Sequence, residues 1–304
     1  MNDNTLAQAV GSATAAAIEA VSNQGRWGAD DELGTLNHIT DEVRARAVSE
    51  ARLGRFVSLG ARLDASAVIP GPMAAASPPF GPVVATKFYT GSPPMSMAEQ
   101  LTVNTHHPQL THLDALTHTV VDNKVYPGVP LPERATFFGI TKGSSAAFSG
   151  GIVSRGVFLD LAPGGRLPER FPITGAVLDD ACARTGVEVL PGDAVVVRSG
   201  WRELEPGRAT AGFTPDGVRW LGEKSVSVYA GDIGDSHPIL DPENPTPLHR
   251  IGLVHLGLVL CDAADPTALA EVCAELGRYT FMIVFAPMRV DGLTGLPVNP
   301  LAIF

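Results

Sequence analysis

Four of the chain's eight histidines, His106, His107, His112 and His118, crowd around a single carboxylate, Asp114. Imidazole supplies a neutral nitrogen ligand or a proton carrier near neutral pH, and a carboxylate supplies negative charge. Together they suit zinc, manganese or iron. His112 and Asp114 stand two apart, so on an extended segment both side chains leave the same face. From Asp114 the run Asp-Ala-Leu-Thr-His reads as helical, and a spacing of four stacks Asp114 above His118. Three ligand-type groups therefore converge at a strand-to-helix junction. His106 and His107 are neighbours and face opposite ways on a strand, so at most one of them enters the site. A His-x-Asp pair by itself is commonly a carboxylate holding one imidazole tautomer. The whole cluster is what points to a metal.

The surrounding elements read as alternating strands and helices. An alanine-rich helix is expected over 6–21, and a second from Thr40, an N-cap followed by first-turn acids, to about Leu53, stopped by Gly54. Strands are expected over 56–63 and 83–90. Residues 69–82, between them, are too Pro-interrupted for a regular element and are expected to form a lid over a site. Beyond residue 100 the pattern predicts strands at 156–161, 194–199, 225–230 and 279–285. Helices are predicted at 174–185, 214–223, 248–256 and 266–277. Strands interleaved with helices give an α/β fold. No repeat or linker divides the chain, so a single domain over 25–304 with an N-terminal helical extension over 1–24 is expected.

Composition removes several alternatives. Hydrophobic residues make up 45% of the 304 and charged residues 18%, which suits a globular chain with a sizeable core. The net charge is −10 and no basic stripe occurs, so nucleic acid is not an expected partner. Cys182, Cys261 and Cys273 have neither CxxC spacing nor an even count, excluding a disulfide framework. No apolar run is long enough for a membrane helix and no basic leader opens the chain, so a cytoplasmic setting is expected.

The run Thr111 to His118 (Thr-His-Leu-Asp-Ala-Leu-Thr-His), followed by Asp122 to Gly128, resembles the metal-dependent cyclase and kynurenine formamidase family. That family's signature is His-x-Gly-Thr-His-x-Asp-x-x-x-His. Further similarity lies in 25–37, 151–160, 189–201 and 284–303, so the chain resembles a long-form member of the family and also resembles isatin hydrolase. The resemblance implies a swivelling β/β/α version of the α/β fold. It implies metal ligands at His112 and Asp114, with His249 and Asp262 at the downstream ligand positions, and a divalent metal, Zn or Mn. Pro108 occupies the place of the first motif histidine, so His107 through a one-residue bulge is expected to substitute, with His106 or neither as alternatives. His255 reads as an ordinary helix histidine.

By the same resemblance His118 is the general acid/base, taking a proton from water and returning it to the leaving group. Trp27, Phe80, Phe88, Tyr89 and Tyr126 are candidates for an apolar wall around an aromatic or cyclic small-molecule substrate. Asp232 follows an expected strand in a Gly-rich loop, a common position for site residues. The leading expectation is a metal-dependent hydrolase of a small cyclic or aryl amide, lactam or lactone. A ring cyclase of polyketide or other secondary metabolism, and a metal-free binding protein on the same fold, are the alternatives. Relatives of this type pair, so a homodimer or homotetramer is expected.

Overall fold

Four near-continuous apolar runs, Ile152–Asp160 (β3), Ala194–Arg198 (β4), Val228–Gly231 (β5) and Val259–Asp262 (β6), lie side by side as parallel strands in the computed structural model. The structure describes residues 11–63, 82–91, 93, 95–201 and 208–304. Such runs suit strands covered on both faces, and the residues of β5 are all buried. Parallel neighbours need crossover connections. Helices Gly175–Thr185 (α3), Pro215–Glu223 (α4) and Leu248–Leu256 (α5) supply them in turn, and Thr267–Leu276 (α6) leads on to Thr280–Phe285 (β7).

Antiparallel strands complete a nine-stranded sheet at both ends. On one side β3 pairs with β7, then Leu301–Ile303 (β9), then Phe56–Ser58 (β1). On the other, β6 pairs with His112–Asp114 (β2), and β2 with Gly295–Pro297 (β8). Two further helices, Ser12–Val21 (α1) and Asp41–Val48 (α2), precede the sheet. Threonine hydroxyls cap three helices as their sequences require: Thr40, Thr174 and Thr214 each accept from a backbone N–H three residues on. The mixed α/β class expected from the pattern is the one observed.

Several local expectations change. The helix from Thr40 ends at Val48, short of Leu53, and the strand at 56 stops at Ser58. Val83–Thr90 is a strand, but it pairs with Ser96–Val103 in a separate hairpin outside the sheet. Asp114 is not followed by a helix: the N–H of His118 bonds the carbonyl of Ala115 in a single turn. The segment 248–256 is helical with π-type hydrogen bonding, a geometry that often accompanies functional sites. The lid expected over 69–82 and Phe80 fall on residues outside the described set, apart from Pro82, as does 6–10 of the first helix.

Candidate metal centre

The site lies where β4, β5 and β6 end, the usual place for ligands in open α/β sheets. The register builds its floor. His112 stands opposite Asp262 on β6 and Pro297 on β8, while Asp114 stands opposite Leu260 and Gly295. Opposed residues share a face, so His112, Asp114 and Asp262 project to one side. Gly295 matters through what it lacks: a Cβ there would sit 2.6 Å from His106 Cε1, so glycine leaves room for the His106 ring.

His106, and not His107, turns into the cluster. Its Nδ1 lies 2.9 Å from Asp114 Oδ1, and its ring stacks on His118 at 3.8 Å between centroids. The expected bulge at His107 is absent because residues 104–110 are not strand. Two successive turns, closed by the N–H of His107 on Asn104 and the N–H of Leu110 on His107, replace it. His107 Nδ1 is occupied by the backbone N–H of Gln109 at 3.2 Å.

Four of the ring nitrogens face Asp114. His112 Nε2 is 3.3 Å from Oδ1, His249 Nε2 is 3.4 Å from Oδ2, and His118 Nε2 is 4.0 Å from Oδ2. His249 Nε2 is also 3.4 Å from Asp262 Oδ2. Yet both oxygens of the fully buried Asp114, Oδ1 of Asp262 and Nδ1 of His106 have no hydrogen-bond partner. Such atoms are costly to bury. Ligand bonds of ~2.0–2.1 Å in a tetrahedron put neighbouring ligand atoms ~3.3 Å apart. The separations of His112 and His249 from Asp114, and of His249 from Asp262, match that edge. The donor set therefore fits a divalent ion, with His106, His112 and Asp114 in one grouping and Asp114, His118 and His249 in another.

The outward nitrogens support the same reading. His112 Nδ1 bonds the Leu110 carbonyl at 2.6 Å, His249 Nδ1 bonds Asp235 at 2.7 Å, and His106 Nε2 bonds the Thr294 hydroxyl at 2.9 Å. The carbonyl and the carboxylate only accept, so they fix the tautomer that leaves the inner nitrogens of His112 and His249 free for metal. Charge follows geometry. Burial opposes the ionised Asp114, but the imidazoles of His106, His112 and His249 hold its carboxyl well below the usual range. Burial also opposes protonated His112 and His249, and neighbouring carboxylates, Asp114 first, overcome it and raise both. His118 goes the other way: burial pulls it down to about 4, against the pull of Asp114.

Asp232 and Asp262 both line a cavity of about 440 Å³ with His106, His112, His118 and His249. Asp232 accepts from Ser199 N and Oγ and from Gly200 N, each at 2.8 Å, and burial pushes its carboxyl up to about 6 despite those bonds. Among the described residues, none of the expected aromatic side chains lines this cavity. Trp27 packs edge-on to His38, and Tyr126 is buried with its hydroxyl donating to Asp31 at 2.9 Å. Phe88 and Tyr89 project from the separate hairpin. The cavity is instead walled by Trp201, Ile233, Pro108 and Ala263. Trp201 and Asp235 were not expected; Trp201 directly follows a Ser-Gly pair at the end of an expected strand, the one local cue to its place. His255 lies outside the cluster and contacts Gln24.

A family model described as “Putative cyclase” matches residues 57–236. No curated protein matches significantly. Among solved structures, a crystal structure described as a novel cyclase is 29% identical and superposes with a TM-score of 0.80 over 94% of this chain and 99% of that one. Isatin hydrolase A from Labrenzia aggregata, bound to benzyl benzoate, is 19% identical with a TM-score of 0.55, over 85% and 97% of the two chains. Isatin hydrolase A from Ralstonia solanacearum is 21% identical at 0.55, over 87% and 97%. The two hydrolases share the fold with this chain. No helix among the described residues is long and apolar enough to cross a membrane.

Proposed function

The chain belongs to the cyclase family whose model spans residues 57–236, and from that premise we propose that it is a metal-dependent hydrolase of a small cyclic or aryl amide, lactam or lactone. The carrying observation is Asp114, a fully buried carboxylate with both oxygens lacking hydrogen bonds and ringed by imidazole nitrogens. His106, His112, Asp114, His249 and Asp262 would hold zinc or manganese. A divalent ion there would polarise a substrate carbonyl and acidify a water beside it.

The residues around it supply the rest. His118 lines the cavity, and burial holds its imidazole at about 4, neutral near pH 7. Its Nε2 can accept the proton of the attacking water and return it to the leaving nitrogen or oxygen. Stacking on His106 fixes its plane. Trp201 and Ile233 give apolar walls, and the volume suits a molecule of one or two rings. No described lining residue is Lys or Arg, while Asp232, Asp235 and Asp262 are present. That balance favours an uncharged substrate over a carboxylate or phosphate.

Ring cyclisation is the second reading, favoured by the 29% identical structure described as a novel cyclase. It would use the same base, acid and positive charge beside an enolate oxygen. The test couples elemental analysis of the purified protein with turnover of isatin, formylated arylamines and aryl lactones, before and after chelation, in ¹⁸O-labelled water. Hydrolysis predicts bound metal, metal-dependent turnover and label in the product. Turnover without label transfers the site to cyclisation, and absence of metal removes both readings.

A further inference from the structure

Among the imidazoles turned towards Asp114, two lean on neutral groups, a backbone carbonyl and a hydroxyl. Among the described residues, only His249 has a carboxylate behind it. Asp235 Oδ2 lies 2.7 Å from His249 Nδ1 and also takes the backbone N–H of His249 at 3.1 Å, while Oδ1 takes the N–H of Leu248 at 2.9 Å. One side chain from the loop after β5 thus holds both the start of α5 and the ring it carries. With Nδ1–H donated to Asp235, the lone pair of Nε2 is left 3.4 Å from oxygens of Asp114 and Asp262. Asp235 is itself almost fully buried, with its side chain 8% exposed, so water competes little for these bonds.

We propose that Asp235 is a positioning residue for the metal centre: it selects the His249 tautomer, aims Nε2 at the ion site and makes the imidazole a more basic ligand. This rests on the metal-binding reading above. A carboxylate behind a ligating imidazole supports metal affinity by about 10–100-fold.

The test titrates zinc and manganese into the full-length protein, stripped beforehand with chelator, for the parent, Asp235→Asn and Asp235→Ala. Circular dichroism and melting of the stripped forms run alongside. Asn keeps the size and one acceptor oxygen but loses the charge, so its affinity should fall about tenfold, and that of Ala by about 100-fold. A role confined to capping α5 would lower the melting temperature and leave the affinity of the folded protein unmoved. Folded variants that both bind within twofold of the parent overturn the role of Asp235 alone. A parent that takes up neither ion overturns the metal reading and this role with it.

Discussion

A proline cannot donate to a strand ladder, and Pro108 lies within the two turns over 104–110 that separate Ser96–Val103 from β2. These turns bring the His106 ring against Asp114 and leave His107 holding the N–H of Gln109. His106→Ala should therefore weaken zinc binding sharply in a titration. His107→Ala should leave it unchanged, at a stability cost of about 1 kcal/mol for the lost turn bond. Equal zinc affinity in both variants would remove His106 from the ligand set. Two residues of the motif itself, Asp114 and His118, part in the same way. Asp114→Ala should abolish metal by elemental analysis, whereas His118→Ala should retain it and lose turnover by roughly 10²–10⁴-fold, the usual contribution of a general acid/base. At this scale the two-residue spacing of His112 and Asp114 was readable because a strand alternates its side chains. The choice between His106 and His107 was not, because it depends on turn geometry that no spacing encodes.

Short strands do much of the positioning, and their partners lie far away in sequence. β2 has three residues, and it is held between β6 and β8, which pair with it across more than a hundred residues of chain. Apolar runs announced β3, β4, β5 and β7, whereas the short β6 was not among the expected strands. β8, with Gly and Pro among its three residues, carries no such signal, so the glycine opposite Asp114 could not be foreseen. Gly295→Ala tests its part. The added Cβ would lie 2.6 Å from His106 Cε1 and 2.8 Å from the Leu113 carbonyl, and the backbone atom cannot give way easily. The ring must move off Asp114 while His112 and His249 stay. Zinc affinity should fall by about tenfold or more, with overpacking lowering stability by about 1–3 kcal/mol. A variant that binds zinc like the parent would show that His106 is not needed at the centre.

At the scale of the whole molecule, two properties connect the site to the rest of the chain. Among the described residues, the hairpin formed by Val83–Thr90 and Ser96–Val103 pairs with no other strand, and Phe88, Tyr89, Met97 and Leu101 on it are exposed. A two-stranded ribbon is marginal alone in water, so we propose that a second copy covers it. Light scattering should then give two or four times 31.8 kDa, and a monomer at micromolar concentration would refute the pairing. The second property is linkage between ion, proton and fold. An ion that binds only the folded chain stabilises it by about 2.7 kcal/mol at a free concentration 100 times Kd. For a chain of this length that is about 5 °C in Tm. Without the ion, protons can partly replace it, because His112 and His249 are both raised above the ordinary histidine value by the carboxylates around them. A raised folded-state pKa contributes stability that is complete below the unfolded value of about 6.5 and is lost as pH rises through the folded value. The ion, in contrast, binds more tightly as its ligands deprotonate. The drop in Tm on adding chelator should therefore be small at pH 6 and larger at pH 8, read by differential scanning fluorimetry on one preparation across the range. A drop that is absent throughout, or that is larger at pH 6 than at pH 8, would be incompatible with these histidines exchanging protons for a metal.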